Sequence, residues 1–362
     1  MKASSLLLRL TFAGLSVWAP VAVAQAPAKL VVQLRDGIIR LSMFGEVGQS
    51  YCIESATTLG EPTAWIPFDY LKLPRSPYLF YTNRSLLNTA QRFYRTRESN
   101  VLPVADMVYI PEGSFTMGSP LKEVERFSDE TQHQVTLTRA FWMGKHEVTQ
   151  GEYVDVIGSN PSYFRNGTAP YLGNGGAVTN ELRHPVEQVS WEDATNYCGK
   201  LTAREFGVGN IPAGWRYHLP TEAEWEYACR GGTTSAFHQG AALLEGMADF
   251  NIGYEYDSTA GTTATGKTYL GRTSDVESYV PNAYGLYDMH GDVWEWCQDW
   301  YGAYPSGSVT DPVGPNTGTH HVFRGGGWNY IGRHARSANR FSDFPTYAIY
   351  FVGFRVVLAP GQ

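Results

Sequence analysis

The chain has 362 residues, 43% hydrophobic, 14% aromatic and only 17% charged, with 38 Gly and 20 Pro. Abundant aromatics and scarce charge exclude a disordered chain, and the Gly/Pro content excludes a coiled coil. The net charge is −7, yet residues 1–24 hold only Lys2 and Arg9, and residues 28–98 hold nine basic against six acidic residues, so everything after residue 98 sums to −12. That acidity argues against a nucleic-acid partner, whose phosphates need Lys/Arg clusters, and is compatible with a divalent cation.

Residues 1–24 place Lys2 before an apolar stretch that ends in Ala22, Val23 and Ala24. This reads as a secretory signal peptide with an A-x-A cleavage site, and so predicts an exported protein. No other apolar run approaches the roughly 18 residues that a membrane span requires, so no transmembrane span is expected after cleavage.

Residues 28–98 read as short alternating strands at 29–34, 37–44, 50–55, 64–70, 78–81 and 91–95, with turn residues between them. They predict a small all-β sandwich, a spacer or adhesion module with no chemistry of its own. Residues 99–106 read as a linker, and residues 107–360 as the main domain.

Three helix starts are sharp in the main domain. Thr149 with Glu152, Ser190 with Asp193, and Thr221 with Glu224 each set a hydroxyl at the N-cap and a carboxylate three residues on. Trp191, Ala194, Tyr197, Cys198 and Leu201 then share one helical face, with Gly207 as its expected stop. Beyond Gly232 the helical signal fades, and long irregular stretches need something to pin them. Cys52, Cys198, Cys229 and Cys297 allow three full pairings or buried free thiols, between which the sequence does not choose. His146-Glu147 is followed by Val-Thr-Gln rather than x-x-His, so no zinc-protease motif is present. His320 and His321 read as a surface pair.

Several segments carry a resemblance: MVYIPEGSFTMGS at 107–119, HEVTQ at 146–150, HPVEQVSW at 184–191, LPTEAEWEYACRGG at 219–232, PNAYGLYDMHGDVWEWC at 281–297, RGGGW at 324–328 and GFR at 353–355. In uninterrupted order they resemble the formylglycine-generating enzyme, or sulfatase-modifying factor, family. The resemblance implies an α+β, loop-rich fold distantly related to C-type lectins. It also implies a copper-dependent oxidation of a sulfatase cysteine to formylglycine, in which two thiolates hold the metal.

Here the chain departs from the family. Tyr330 stands at the first cysteine position, the second falls near Ala335, Gly327 replaces the motif serine, and no cysteine follows Cys297. Soft thiolates select Cu(I), so copper is not expected. Cys198 and Cys229 match positions disulfide-bonded in the animal enzyme, but their partner positions are Val356 and Ser337.

By the same resemblance, Trp294 and Arg340 match the lining of the substrate cleft, with Trp328 and Tyr330 beside them. Calcium is implied at Asp288 and Glu295 through their side chains and at Gly291 and Val293 through their carbonyls; mixed carboxylate and carbonyl oxygens suit this ion. A further calcium site is implied at Asn251 and the carbonyl of Ile252. The expectation is an exported family member that is not a copper oxidase and uses the cleft to bind a protein, peptide or glycan. The alternatives are a working formylglycine generator or other oxygenase, and a calcium-stabilised, lectin-like carbohydrate binder.

Overall fold

A computed structural model describes residues 106–171 and 173–361, and before them only strand segments with the side chains of Met43 and Tyr51. Apart from a two-residue strand, Leu8–Arg9, the predicted signal peptide lies outside the described residues, as do residues 99–105 of the predicted linker. The chain divides into two compact units, residues 1–105 with 210–212, and residues 106–209 with 213–362.

The first unit is built from β1 (Lys29–Arg35), β2 (Ile38–Phe44), β3 (Ser50–Ala56), β4 (Ile66–Lys72), β5 (Tyr78–Thr82) and β6 (Phe93–Glu98). They form two antiparallel sheets: β1-β2-β5, and Leu8–Arg9 with β6-β3-β4. Each bound lies within three residues of that of a strand expected from alternation.

The second unit mixes helix and strand. Helices α1 (Gln150–Ile157), α2 (Trp191–Gly207) and α3 (Glu222–Arg230) each begin with the complete reciprocal capping box expected, at Thr149, Ser190 and Thr221. Gly158 and Gly231 close α1 and α3 in the left-handed conformation. The expected stop of α2 is displaced. Gly207 remains helical, Val208 is the C-cap, and Gly209 takes the positive φ of 77°.

One four-stranded antiparallel sheet runs β11 (Trp215–His218), β20 (Val357–Pro360), β10 (Phe141–Gly144), β7 (Met107–Ile110). A second four-stranded sheet is mixed and runs β18 (Phe341–Asp343), β17 (His321–Arg324), β15 (Trp294–Trp300), β19 (Val352–Gly353), with β15 and β19 parallel. Two three-stranded sheets run β16 (Val309–Thr310), β9 (His133–Leu137), β8 (Gly113–Met117), and β12 (Ala242–Leu243), β13 (Tyr254–Asp257), β14 (Gly261–Ala264). Every residue of α3 is buried, and Trp225, Ala228 and Cys229 pack with Phe141, Met143, Met289 and Val357 in the core.

Buried arginines pin the irregular region after Gly232. Arg336 forks onto Glu130, Arg324 reaches Glu226, and Arg355 forks onto Glu295, all at 0% exposure. Charges buried this deeply hold only when partnered, so each pair ties a distant loop to the core. His321, expected at the surface, is 1% exposed. It lies between the rings of Trp191 and Trp300, at 3.8 and 3.7 Å, because β17 carries it inward. Burial lowers its pKa to about 4, so it stays neutral. Cys198, Cys229 and Cys297 are free buried thiols; the Cys52 side chain lies outside the described residues.

Candidate cation site and aromatic cleft

The segment from Asp288 to Glu295 is a tight loop entering β15. Asp288 and Asp292 both take φ of 56°, which strains a non-glycine residue, and Gly291 takes 94°. Only glycine fits at 291: a Cβ there would stand 2.0 Å from the Asp249 carbonyl oxygen. Three threads lock the loop. Gly291 N donates to Gly325 O, Asp292 N to Asp249 O, and Trp328 N to Asp292 O.

The loop collects acid. Asp249, Asp288, Asp292, Glu295 and Glu147 are all buried. Burial and then the charges of Asp249 and Asp288 push the Asp292 carboxyl well above its usual range. Burial raises Asp288 to about 6, against the backbone bond from Glu277 and the Arg355 charge. Glu295 is fully partnered: Arg355 donates to its two oxygens at 2.5 and 2.6 Å, and Trp225 Nε1 donates at 2.8 Å. Asp288 accepts Glu277 N on Oδ2 at 2.7 Å, while its Oδ1 meets no donor among the described residues. An unpartnered, buried carboxylate oxygen beside other carboxylates fits an all-oxygen site for a hard divalent cation.

The second implied site has a different donor set. Asn251 Oδ1 accepts Gly253 N at 3.1 Å, and Ile252 O accepts the Thr265 hydroxyl at 2.6 Å. A neutral hydroxyl, not a carboxylate, stands across from Ile252, so this pair presents no negative charge to a cation.

Trp294, Trp328 and Tyr330 come together, and Arg340 does not join them. Trp294 lies edge-on to Tyr330 at 5.3 Å, Tyr330 to Phe351 at 5.3 Å, and Trp328 sits 5.8 Å from Tyr350. Phe164, Tyr171 and Tyr269 surround Trp328 at 5.3, 6.5 and 6.2 Å. Trp294 and Trp328 are wholly buried, whereas Tyr163 and Tyr171, which pack on Tyr350, are 41% and 52% exposed. Burial raises the Tyr330 phenol to about 12, so it stays protonated at neutral pH and offers no anionic ligand. The loop after it turns at Ala335, whose carbonyl oxygen lies 2.7 Å from His290 Nδ1. Two-thiolate copper does not fit these residues. Arg340 is instead ion-paired to Glu222.

Sequence reasoning missed Glu147, Asp249 and the aromatic rim. Glu147 stands in the HEVTQ segment that carries the resemblance, but 141 positions before Asp288, and no spacing links Tyr163 or Tyr171 to Trp328. The resemblance did place Cys229 beside Ser337, whose Oγ lies 3.6 Å from the thiol sulfur.

Comparison with known proteins places the chain among relatives of one family. The formylglycine-generating enzyme of Bos taurus is 30% identical over 297 residues, covering 70% of this chain and 74% of that one. That of Streptomyces coelicolor is 31% identical over 292 residues, covering 68% and 87%. The serine/threonine-protein kinase pkn1 of Chlamydia pneumoniae is 31% identical over 268 residues, 70% of this chain but 38% of the kinase. Among solved structures, Treponema denticola variable protein 1 superposes with a TM-score of 0.54 at 27% identity, covering 69% of this chain and 94% of that one. PvdO from Pseudomonas aeruginosa gives 0.53 at 29%, covering 70% and 93%. The description "Sulfatase-modifying factor enzyme 1-like domain" matches residues 92–360, and the chain belongs to that family.

Proposed function

We propose that this protein is an exported member of the sulfatase-modifying factor family that binds a ligand in its aromatic cleft and does not oxidise cysteine through copper. The observation that carries this reading is the wall of Trp328, Tyr330 and Tyr350, with half-exposed Tyr163 and Tyr171 at its rim, in place of a thiolate pair. Rings exposed on one side offer large apolar area with hydroxyl tips, which suits an extended peptide or a sugar ring. Asp288 would hold a structural calcium with backbone carbonyls of its loop; the ion would supply positive charge to a buried acidic cluster and hold the loop behind Trp294. Export rests on the composition of residues 1–24, and kinship with C-type lectins on the family resemblance.

The test is a binding screen of the purified full-length chain against peptide and glycan arrays, paired with a turnover assay on a Cys-x-Pro-x-Arg peptide with copper and oxygen. Binding that Tyr171→Ala and Tyr163→Ala remove, without turnover, supports the reading. Turnover to formylglycine overturns it.

A further inference from the structure

We infer that Asp106, His146 and Glu152 form a binding site for a divalent cation of borderline softness, zinc foremost, at the start of α1. None of the three belongs to the aromatic cleft or to the buried carboxylates around the 288–295 loop, so the inference goes beyond the reading above.

The backbone brings them together. β7 and β10 run antiparallel with Met107 opposite Gly144, and Lys145 N donates to Asp106 O at 2.8 Å, so Asp106 lies beside the chain as it leaves β10. That chain passes His146 and enters the cap of α1 at Thr149. Glu152, the third residue of the helix, folds back onto the cap, where its Oε2 accepts Thr149 N at 2.8 Å and the Thr149 hydroxyl at 2.9 Å. One ligand atom from each of Asp106, His146 and Glu152 then lies within 4.8 Å of the other two.

The imidazole distinguishes this group from an ordinary patch of acid. His146 is 9% exposed, and its Nδ1 stands 2.7 Å from Glu147 O. A carbonyl oxygen only accepts, so the proton sits on Nδ1 and the lone pair on Nε2. Metal-binding histidines are held in this way, one nitrogen orienting the ring on a carbonyl and the other open to the ion. Both capping bonds fall on Glu152 Oε2, which leaves Oε1 for a ligand. One imidazole and two carboxylates suit zinc, whereas calcium takes oxygen alone. Zinc bonds of about 2.0–2.2 Å set ligand atoms at most about 4.4 Å apart, so binding asks for a closure of only a few tenths of an ångström. Asp106 is exposed and can supply it. With three protein ligands and one of them at the surface, water would fill the fourth position.

A second proton on the ring is the competing account. Glu277 Oε1 stands 3.8 Å from His146 Nε2, too far for a hydrogen bond, and already pairs with Lys145 Nζ at 2.9 Å. A protonated His146 among these carboxylates needs no metal, and so the two accounts part on titration.

The experiment is calorimetric titration of the tag-free, chelator-treated full-length chain with zinc chloride, in excess calcium chloride so that an all-oxygen site is filled first. The visible bands of cobalt(II), added in place of zinc, report whether nitrogen and oxygen ligands hold the ion. The wild type is expected to take up one zinc per chain. Asp106→Asn, at the surface, and Glu152→Gln, which keeps a capping oxygen, should each lower the zinc affinity at least tenfold. His146→Ala should abolish uptake and the cobalt bands; should that variant fail to fold, the two carboxylate variants decide. Calcium dependence of melting, the property of the Asp288 site, should be unchanged in Asp106→Asn and Glu152→Gln, so a failure there is read apart from a failure here. Zinc taken up equally by the wild type and the variants, or no uptake by the wild type, overturns the assignment.

Discussion

Arg340 and Glu222 form a fork-to-fork ion pair, with Nε to Oε1 at 2.7 Å and Nη2 to Oε2 at 2.6 Å. The guanidinium also stands 3.8 Å from the Tyr304 ring centre and donates to Gly302 O. Glu222 is the first residue of α3 and is 4% exposed. A residue matched to a substrate cleft therefore ties the 301–304 segment to the central helix.

Removing Arg340 should leave the buried Glu222 charge with Arg324 Nε, at 3.4 Å, as its remaining cation. Arg340→Met is expected to cost about 3–5 kcal/mol in urea denaturation. The double variant with Glu222→Gln should lose less than the two single losses combined, because both members of the forked pair are then neutral. Additive losses would show that the pair is not a coupled unit.

Calcium should stabilise the fold by mass action. At 100 times its dissociation constant a ligand contributes about 2.7 kcal/mol. At roughly 2–4 °C per kcal/mol, chelator should lower the melting temperature by about 5–10 °C, and calcium should restore it. Asp288→Ala should abolish the response, whereas Asp257→Ala, whose oxygen caps Thr259 and Ala260 on a surface turn, should leave it intact. A melting curve indifferent to chelator would remove the site.

Copper should find no tight site. The protonated Tyr330 and the turn at Ala335 replace a thiolate pair, so Cu(I) competition assays should show no stoichiometric binding. Tyr330→Cys alone should create neither a tight site nor formylglycine, since one thiolate does not complete the ligand pair. Stoichiometric copper in the wild type would refute this.

Glu187 should make the backbone at Tyr163 and Phe164 sensitive to pH. Its carboxylate accepts the Tyr163 and Phe164 N–H groups at 3.0 and 2.8 Å, and burial outweighs those bonds to raise it to about 7. A carboxyl raised on folding contributes stability that is complete below its ordinary value near 4.5 and is lost as pH rises through about 7. At about 1.4 kcal/mol per pKa unit the loss is of order 3 kcal/mol. Glu187→Gln should flatten this decline, read as the difference in unfolding free energy between pH 5 and pH 8. Parallel pH curves for variant and wild type would refute the assignment.

The local rules of the chain were legible in the sequence. Three capping boxes fixed the helix starts because hydroxyl and carboxylate stand at set offsets within one turn, and alternation marked the strands of residues 28–98 because side chains change face at every residue. Motif order disclosed the family, and the missing cysteines after Cys297 were plain to read. The pairing of distant charges was not. Whether Glu295 faces a cation or Arg355, and whether Arg340 lines a cleft or clasps Glu222, depend on contacts across 60 and 118 residues of chain. Nothing local encodes such contacts: a carboxylate's role is set by which donors the fold brings to its oxygens, and that is decided only when the loops close around α3.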